Sequence, residues 1–428
     1  MPLQRREFLT RVSGLLGTAG LASLAGCASS CPDSDRPTAA ETISIDSPPA
    51  GPFERTPAGT WPAETGNSAN TGYATGSLPE PKLAVRWRTQ LDIPTEDGVG
   101  VVASAPVVGS ERAYVADPER VHAVSLRTGE LEWESERLPV TETERYGTYR
   151  PETIGPRVGP EGRILVGLET GLAALDPEDG TTRWQKNGLS AVSPPTVVGG
   201  LLVAQGEDTV RAFDPDGTEQ WTTNLSRGRT RRQPAATTDV VVLRTETGLA
   251  GLDPETGETL WTRRVQAESQ PAIDDDTVFL GTDEGLLGLG VADGTNRFTY
   301  SRGEYMAFHS LVVTEETAYV VEQPPEAGAS SFALDRTPEG VEPRWCSYIG
   351  DGTVTGATDR QAVGLFDIET GPGSPRSLAN FTTDTGSVDW AVRGGSRSDA
   401  WLNPPALLDG VFVLTTRGGR ILAVSGGD

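Results

Sequence analysis

The sequence predicts an all-β fold, an eight-bladed β-propeller built of four-stranded blades. Three observations support this prediction. A glycine-to-aromatic motif recurs along most of the chain, and the segments between its copies hold short apolar stretches instead of long amphipathic ones. The 428 residues include 51 Gly and 32 Pro, which indicates many turns. Only 36% of the residues are hydrophobic, which is low for a protein with a large helical core.

The recurring motif is a turn followed by an aromatic strand. The copy at 252–261 runs Leu-Asp-Pro-Glu-Thr-Gly-Glu-Thr-Leu-Trp. Asp bonds its own backbone, Pro presets φ and Gly supplies a positive φ, so each residue of the turn has a mechanical role. Successive copies end 37 to 51 residues apart, the length of a four-stranded propeller blade. The copies end at Trp133, Trp184, Trp221, Trp261, Phe298, Trp345 and Trp390.

These aromatic residues, together with Trp87, are predicted to be structural. One large aromatic side chain on the last strand of each repeat wedges neighbouring blades together and buries roughly 150–250 Å². The alternative is a stacking platform for a ligand.

Ring closure follows from the two ends of the repeat region. After the seventh copy, residues 405–425 supply three strands and no aromatic strand. A strand of the missing type, Leu83 to Arg88 with Trp87, lies near the N-terminus. We predict that it completes the last blade, because closing the ring removes exposed strand edges.

The N-terminus has the features of an export signal. Arg5 and Arg6 precede an uncharged stretch from Val12 to Ala25, which is too short to span a bilayer. The stretch ends Leu-Ala-Gly-Cys27, similar to the lipobox of exported lipoproteins. The predicted organisation is a twin-arginine lipoprotein signal peptide at 1–26, a disordered tether at 27–57 and the propeller at 58–428. The alternative is a chance Cys27 after an ordinary signal peptide.

Cysteine provides no further motif. Besides Cys27 the chain has Cys31 and Cys346, and it contains no Cys-x-x-Cys or adjacent pair. Two isolated thiols are favoured over a disulfide, and no metal site is predicted.

The formal net charge of −24 makes nucleic acid and anionic membrane surfaces poor partners for the body of the protein. Lys82 and Lys186 are the only lysines. An acidic, lysine-poor domain is typical of halophilic archaea, where dense carboxylates keep proteins hydrated in high salt. A GC-rich genome that prefers arginine codons is the alternative.

The Leu-Asp, Thr-Gly and Trp pattern resembles the PQQ-like propeller repeat over about residues 60–428. That family includes quinoprotein dehydrogenases and the lipoprotein of the bacterial outer-membrane protein assembly machine, so the resemblance implies fold more than activity. Family members that bind the quinone carry an adjacent Cys-Cys pair, calcium ligands and a catalytic Asp. No segment here matches those motifs, and His122 is predicted to be structural. We therefore predict no enzyme, no cofactor and a binding or scaffold module on the outer face of the cell membrane. The alternative is a PQQ-dependent dehydrogenase.

The links between repeats are unexpectedly basic. Four of them carry nine Arg against three acidic residues, together with two aromatic residues, a composition common in binding hot spots. We predict that they dock an acidic protein segment or an acidic surface glycan. The alternative, that they neutralise nearby carboxylates of the same chain, is left open. The link residues are Arg227, Arg229, Arg231, Arg232, Arg263, Arg264, Arg302, Tyr305, Arg393, Arg397 and Trp401.

Overall fold

A computed structural model gives the architecture. It describes residues 39–93, 103–138, 155–168, 170–189, 193–225, 233–301, 307–322, 330–348, 352–366, 377–395 and 402–426, and the backbone alone at 95–96, 99–100, 142–145 and 148–151. The described chain is almost entirely β-structure, with one 3₁₀ turn at Pro160–Gly162. It contains no helix of the length and apolarity that crossing a membrane requires.

In chain order the strands are β1 (Glu41–Ser44), β2 (Leu83–Gln90), β3 (Thr95–Glu96), β4 (Val99–Gly100), β5 (Val107–Val108), β6 (Arg112–Ala116), β7 (Val121–Ser125), β8 (Leu131–Glu134), β9 (Glu142–Arg145), β10 (Thr148–Pro151), β11 (Arg157–Val158), β12 (Ile164–Leu168), β13 (Gly171–Leu175), β14 (Thr182–Asn187), β15 (Thr196–Val198), β16 (Leu201–Gln205), β17 (Thr209–Phe213), β18 (Glu219–Asn224), β19 (Ala235–Ala236) and β20 (Val241–Thr245). They continue as β21 (Gly248–Leu252), β22 (Thr259–Arg264), β23 (Ala272–Asp274), β24 (Thr277–Thr282), β25 (Gly285–Gly290), β26 (Asn296–Tyr300), β27 (Phe308–Val313), β28 (Thr317–Glu322), β29 (Ser330–Thr337), β30 (Gly340–Tyr348), β31 (Gly352–Ala357), β32 (Gln361–Phe366), β33 (Ser377–Thr382), β34 (Trp390–Arg393), β35 (Ala406–Leu408), β36 (Val411–Thr415) and β37 (Arg420–Gly426).

The strands form eight blades, as the repeat predicted. Blades 1 to 8 are β5–β8, β11–β14, β15–β18, β19–β22, β23–β26, β27–β30, β31–β34 and, last, β35–β37 with β2. Two small ribbons, β3–β4 and β9–β10, lie in the links on either side of blade 1.

The predicted ring closure is confirmed. Strand β2 pairs antiparallel with β37, from Leu83 opposite Gly426 to Gln90 opposite Arg420. The last blade therefore takes three strands from the C-terminal end of the repeat region and its outer strand from the N-terminal side. Trp87 of β2 is 4% exposed and belongs to the core of this blade.

The stretch before β2 is more ordered than predicted. Strand β1 pairs in parallel with β34 and adds a fifth strand to blade 7. Beyond it, Ile45 is fully buried, and the Phe53 N–H donates to the Arg127 carbonyl at 3.0 Å. The predicted disordered tether therefore does not extend over residues 41–53. The few apolar side chains of this segment pack against the ring. The stabilisation from burying them outweighs the tendency of its polar composition towards disorder.

The other N-terminal predictions concern Arg5, Arg6, Cys27 and Cys31, which lie outside the described residues. Cys346 in β30 is disulfide-bonded, so the prediction of an isolated thiol is wrong for this residue. Spacing in a sequence does not determine cysteine pairing, which depends on how the chain is folded.

The blade aromatics make one contact that repeats around the rim. Seven of the eight rings lie against the glycine of the turn in the next blade, where a Cβ would collide with the ring. The glycine therefore contacts the aromatic residue of the preceding repeat. Glycine is required at this position because φ is positive and because the ring approaches too closely for a Cβ atom. The pairs are Trp87–Gly129, Trp133–Gly180, Trp184–Gly217, Trp221–Gly257, Trp261–Gly294, Phe298–Gly340 and Trp345–Gly386.

Candidate binding faces and axial cavity

The ring has two different faces. We call the turn face the one that carries the tight turns within each blade, such as residues 253–257 and 314–316. We call the link face the one that carries the links between blades, such as residues 265–271. The first strand of each blade is innermost and runs from the link face towards the turn face.

Residues 61–77, here named the axial segment, cross the central channel close to the turn face. The segment touches the innermost strands of the blades in ring order, one residue after another. Its carbonyl groups at Trp61, Pro62, Ser68, Ala69, Thr71, Gly72 and Ser77 accept backbone N–H groups of Val108, Val158, Ala236, Ile273, Val313, Ala357 and Gly410, at 2.7 to 2.9 Å. These bonds reach blades 1, 2, 4, 5, 6, 7 and 8, and the Thr196 hydroxyl of blade 3 also donates to the Ser68 carbonyl at 3.4 Å.

Asn70 is the central anchor of the axial segment. It is 3% exposed and has a left-handed backbone with φ of 57°. Its amide nitrogen donates to the carbonyls of Gln233 and Pro271, both at 3.2 Å. Its amide oxygen accepts the Thr65 hydroxyl and the Gln233 amide, both at 2.8 Å. All hydrogen-bonding capacity of this buried side chain is therefore used, which holds the segment in one position.

A buried cation lies against the axial segment. Arg157 of blade 2 is 2% exposed and donates to the Pro195 carbonyl at 3.0 Å and the Ser68 hydroxyl at 2.8 Å. Burial lowers the pKa of this guanidinium to about 9. Among the described residues no carboxylate pairs with it, so its contacts are to neutral oxygen atoms. Arg157 thus fastens the axial segment to blades 2 and 3.

The channel also holds a cavity of about 170 Å³ on the link side of the axial segment, here named the axial cavity. Its floor is the axial segment, and its walls are the innermost strands of blades 5 to 8. The lining residues are Glu64, Thr65, Asn70, Gly72, Ser269, Gln270, His309, Ser310, Leu311, Val312, Thr353, Val354, Thr355 and Pro404. Among the described residues, this lining contains a carboxylate and an imidazole.

The described polar groups of the axial cavity include hydroxyls, amides, a carboxylate and an imidazole. His309 Nδ1 lies 3.7 Å from Glu268 Oε2, with side chains that are 40% and 27% exposed. The amide oxygen of Gln270 is buried and receives no hydrogen bond in the described structure. The Ser310 hydroxyl donates its hydrogen bond to the Val354 carbonyl at 2.6 Å. A donor group that reached the Gln270 oxygen would satisfy it.

A second histidine is buried inside blade 1. His122 Nε2 lies 2.7 Å from Asp117 Oδ2, and Nδ1 lies 2.9 Å from Glu134 Oε1. Burial opposes ionisation of Asp117, but bonds from His122 and from the backbone N–H groups of Glu119 and Arg120 outweigh it and lower the pKa of this carboxyl. The cluster ties the second, third and fourth strands of the blade together, which gives His122 a structural role.

Three of the nine predicted link arginines are described. Arg263 and Arg264 end β22 in blade 4, and Arg393 ends β34 in blade 7. All three lie at link-face ends of outer strands, and Arg264 and Arg393 are exposed. Arg263 and Arg264 are neighbours in blade 4, and the structure does not bring Arg393 of blade 7 together with them. The predicted residues outside the described part are Arg227, Arg229, Arg231, Arg232, Arg302, Tyr305, Arg397 and Trp401.

Sequence reasoning missed the axial cavity. Its walls come from four blades and its floor from a segment more than 190 residues away in sequence from the first of them. The wall residues sit in ordinary repeat positions, the floor residues belong to a segment without a repeat, and only the closed ring brings them together.

Comparisons with known proteins agree on the fold. A family model described as outer membrane protein assembly factor BamB matches residues 119–337, slightly more than half of the 428 residues. BamB from Moraxella catarrhalis superimposes with a TM-score of 0.55 at 15% identity, covering 80% of this chain and 99% of that chain. Quinohemoprotein alcohol dehydrogenase from Comamonas testosteroni gives 0.59 at 13% identity, covering 86% and 81%. The computationally designed Ika8 protein gives 0.55 at 11%, covering 79% and 100%. At these identities the structural likeness establishes the fold alone. No curated protein matches the chain significantly.

Proposed function

Because the chain belongs to the family described as outer membrane protein assembly factor BamB, we propose that it is a lipid-anchored scaffold that binds protein partners on its link face. In this proposal the protein is exported by the twin-arginine route, held to the outer face of the cell membrane through lipid at Cys27, and not an enzyme.

The observation that carries the proposal is the difference between the two faces. On the turn face, uniform short turns and the axial segment fix the surface, since all eight blades bond to that segment. On the link face, the links differ in length and sequence from blade to blade. A rigid disc that displays variable loops on one side is the arrangement that proteins use for specific recognition.

The link sequences indicate an anionic partner surface. The family description names an assembly factor, and from it we carry over only the property of binding other proteins. Arg229, Arg231 and Arg232 form the densest basic stretch in a chain whose net charge is −24. Guanidinium groups bind carboxylates in a forked geometry, so an acidic protein segment is the proposed partner, with an acidic glycan as the other anionic candidate.

Replacing Arg229, Arg231 and Arg232 together by Ser is expected to abolish partner capture from native membranes while the melting temperature changes little. The measurement is crosslinking followed by affinity purification. The matched control replaces Arg127, Arg183 and Arg360, which are exposed and lie on the turn face. Capture that persists in the link variant, or is lost equally in the control, would contradict the proposed surface.

Replacing Cys27 by Ala is expected to release the protein from membranes into the medium, because the acyl chain would no longer be attached. Intact-mass measurement of the mature wild-type protein should show an acyl adduct on a chain that begins at this residue. A wild-type protein that is soluble and carries no adduct would refute lipid anchoring but leave the link-face proposal standing.

The competing function is that of a quinone-dependent dehydrogenase. We consider it because the fold is similar to that of the alcohol dehydrogenase. The absence of an adjacent Cys-Cys pair from the sequence supports the non-enzymatic proposal. Incubation with pyrroloquinoline quinone and calcium distinguishes the scaffold from the dehydrogenase. Dye reduction in the presence of alcohols or sugars would show that the protein is an enzyme.

A further inference from the structure

Arg157 is a buried cation for which the described residues supply no counter-charge, and we infer that it binds a small monovalent anion, chloride or another halide. The site lies where the axial segment meets blades 2 and 3, beside Ser68 and Pro195. It is separate from the proposed protein-binding surface, because Arg157 belongs to β11, the innermost strand of blade 2, and not to a link.

The charge of Arg157 calls for an anion. The side chain is 2% exposed, and burial lowers its pKa to about 9, which still leaves the group cationic at neutral pH. Taking a lone charge out of water costs much more free energy than burying a neutral polar group, so buried charges in proteins are paired. No carboxylate of the described chain pairs with Arg157, and a bound anion would supply the missing charge.

Two other poorly exposed arginines do have carboxylate partners. Arg336, with a side chain 14% exposed, pairs with Asp274. Arg211 resembles Arg157 in having a buried Nε without an acceptor in the described structure, but its Nη1 lies 3.6 Å from Glu219 Oε2. Arg157 is more deeply buried than either, yet its partners are neutral oxygen atoms.

The hydrogen-bonding groups of Arg157 also call for an acceptor. A guanidinium carries five N–H donors. Two bonds are made, from Nη1 to the Pro195 carbonyl and from Nη2 to the Ser68 hydroxyl, and the buried Nε has no acceptor among the described residues. Two N–H groups on one edge of the planar fork run parallel, so a single anion can accept both. A water molecule can accept the same bonds but does not neutralise the charge.

Burial limits the size and the charge of the anion. Because the Arg157 side chain is 2% exposed, the ligand has to fit among packed atoms of the channel. A halide is a single atom, and its one negative charge matches one guanidinium. Sulfate and phosphate are larger, and a divalent anion would replace one unpaired buried charge by another.

The first experiment measures thermal unfolding of the full protein at neutral pH while sodium chloride replaces sodium gluconate at constant ionic strength. Constant ionic strength keeps the screening of the acidic surface fixed, and gluconate is a monovalent anion too large for the site. Each tenfold increase of chloride above its dissociation constant is expected to raise the melting temperature by roughly 1–3 °C, because a ligand of the folded state stabilises that state. A melting temperature that is independent of chloride overturns the inference.

Variants locate the effect. Arg157→Gln removes the charge but keeps an N–H donor that can serve the Pro195 carbonyl, and it is expected to abolish the chloride dependence. The matched control Arg360→Gln removes an exposed charge on the turn face and should retain the dependence. Chloride dependence that persists in a folded Arg157→Gln protein, or that Arg360→Gln removes equally, assigns the effect to the surface in general and overturns the inference.

Crystals of the wild-type protein grown in sodium bromide test the site even if Arg157→Gln does not fold. Bromide is a halide that anomalous scattering distinguishes from water, and a peak is expected within hydrogen-bonding distance of the Arg157 guanidinium. Ordered water alone at this guanidinium, or bromide at other positions only, overturns the inference. Neither result bears on partner binding at the link face.

Discussion

The rim and the axis of this propeller hold the same eight blades together by different means. At the rim, one contact between an aromatic ring and a glycine recurs at seven of the junctions between blades. At the axis, one stretch of chain visits all the blades, and each blade meets a different residue of it. The rim contact therefore repeats from blade to blade, whereas the contacts of the axial segment do not repeat.

The two devices also differ energetically. A rim aromatic removes roughly 150–250 Å² of surface from water, and its loss costs roughly 3–5 kcal/mol. A main-chain hydrogen bond of the axial segment contributes about 1 kcal/mol, because the same groups bond to water in the unfolded chain. The rim should therefore decide whether the ring exists, and the axis should decide how its channel is shaped.

The largest effect is expected from deleting residues 82–90, which removes β2 from blade 8. The deletion eliminates Trp87 and the whole pairing with β37. We expect the free energy of unfolding to fall by more than roughly 5 kcal/mol, since the aromatic alone is worth most of that amount. Chemical denaturation measures the loss, and an unchanged curve would show that the ring does not need its N-terminal strand.

A smaller effect is expected from replacing residues 61–77 with a Gly/Ser segment of the same length. The substitution removes the buried Trp61 and the Asn70 network but keeps β2 connected in sequence. We expect a loss of roughly 3–5 kcal/mol, mostly from Trp61, with the β-sheet circular dichroism retained. The axial cavity would lose its floor. Collapse as complete as that of the β2 deletion would mean that axis and rim are equally essential.

The difference between rim and axis also explains what could be predicted from the sequence. The rim contact repeats, so the motif ending at Trp221 or Trp261 revealed the blades, their number and the closing role of β2. The axial segment has no period, because Ser68, Ala69 and Thr71 each face a different blade. Strand β1 was missed for a related reason, since a parallel strand of four residues in a polar segment leaves no pattern. The candidate cavity forms only when the ring of blades is closed and the axial segment lies in its channel.

One junction breaks the rim pattern. At six junctions the indole N–H of the tryptophan donates to a backbone carbonyl of the next blade, at 2.7 to 3.0 Å. Blade 8 lacks the usual turn between its third and fourth strands, because these strands, β37 and β2, are not consecutive in sequence. Trp390 packs on Phe412 with ring centroids 5.0 Å apart, and its indole nitrogen is buried without an acceptor among the described residues.

The smallest expected effect tests this exception by replacing the two tryptophans with Phe. Both substitutions remove the same volume from a buried site, so the packing cost is similar. Trp221→Phe also breaks the 3.0 Å bond to Pro254 and leaves that carbonyl unsatisfied, whereas Trp390→Phe removes a donor that has no acceptor. We expect Trp221→Phe to cost about 1–2 kcal/mol more in the free energy of unfolding. Phe298 shows that the ring accepts a phenyl group at this position of a blade. Equal losses in chemical denaturation would mean that the indole bonds add nothing to the rim beyond the burial of the ring.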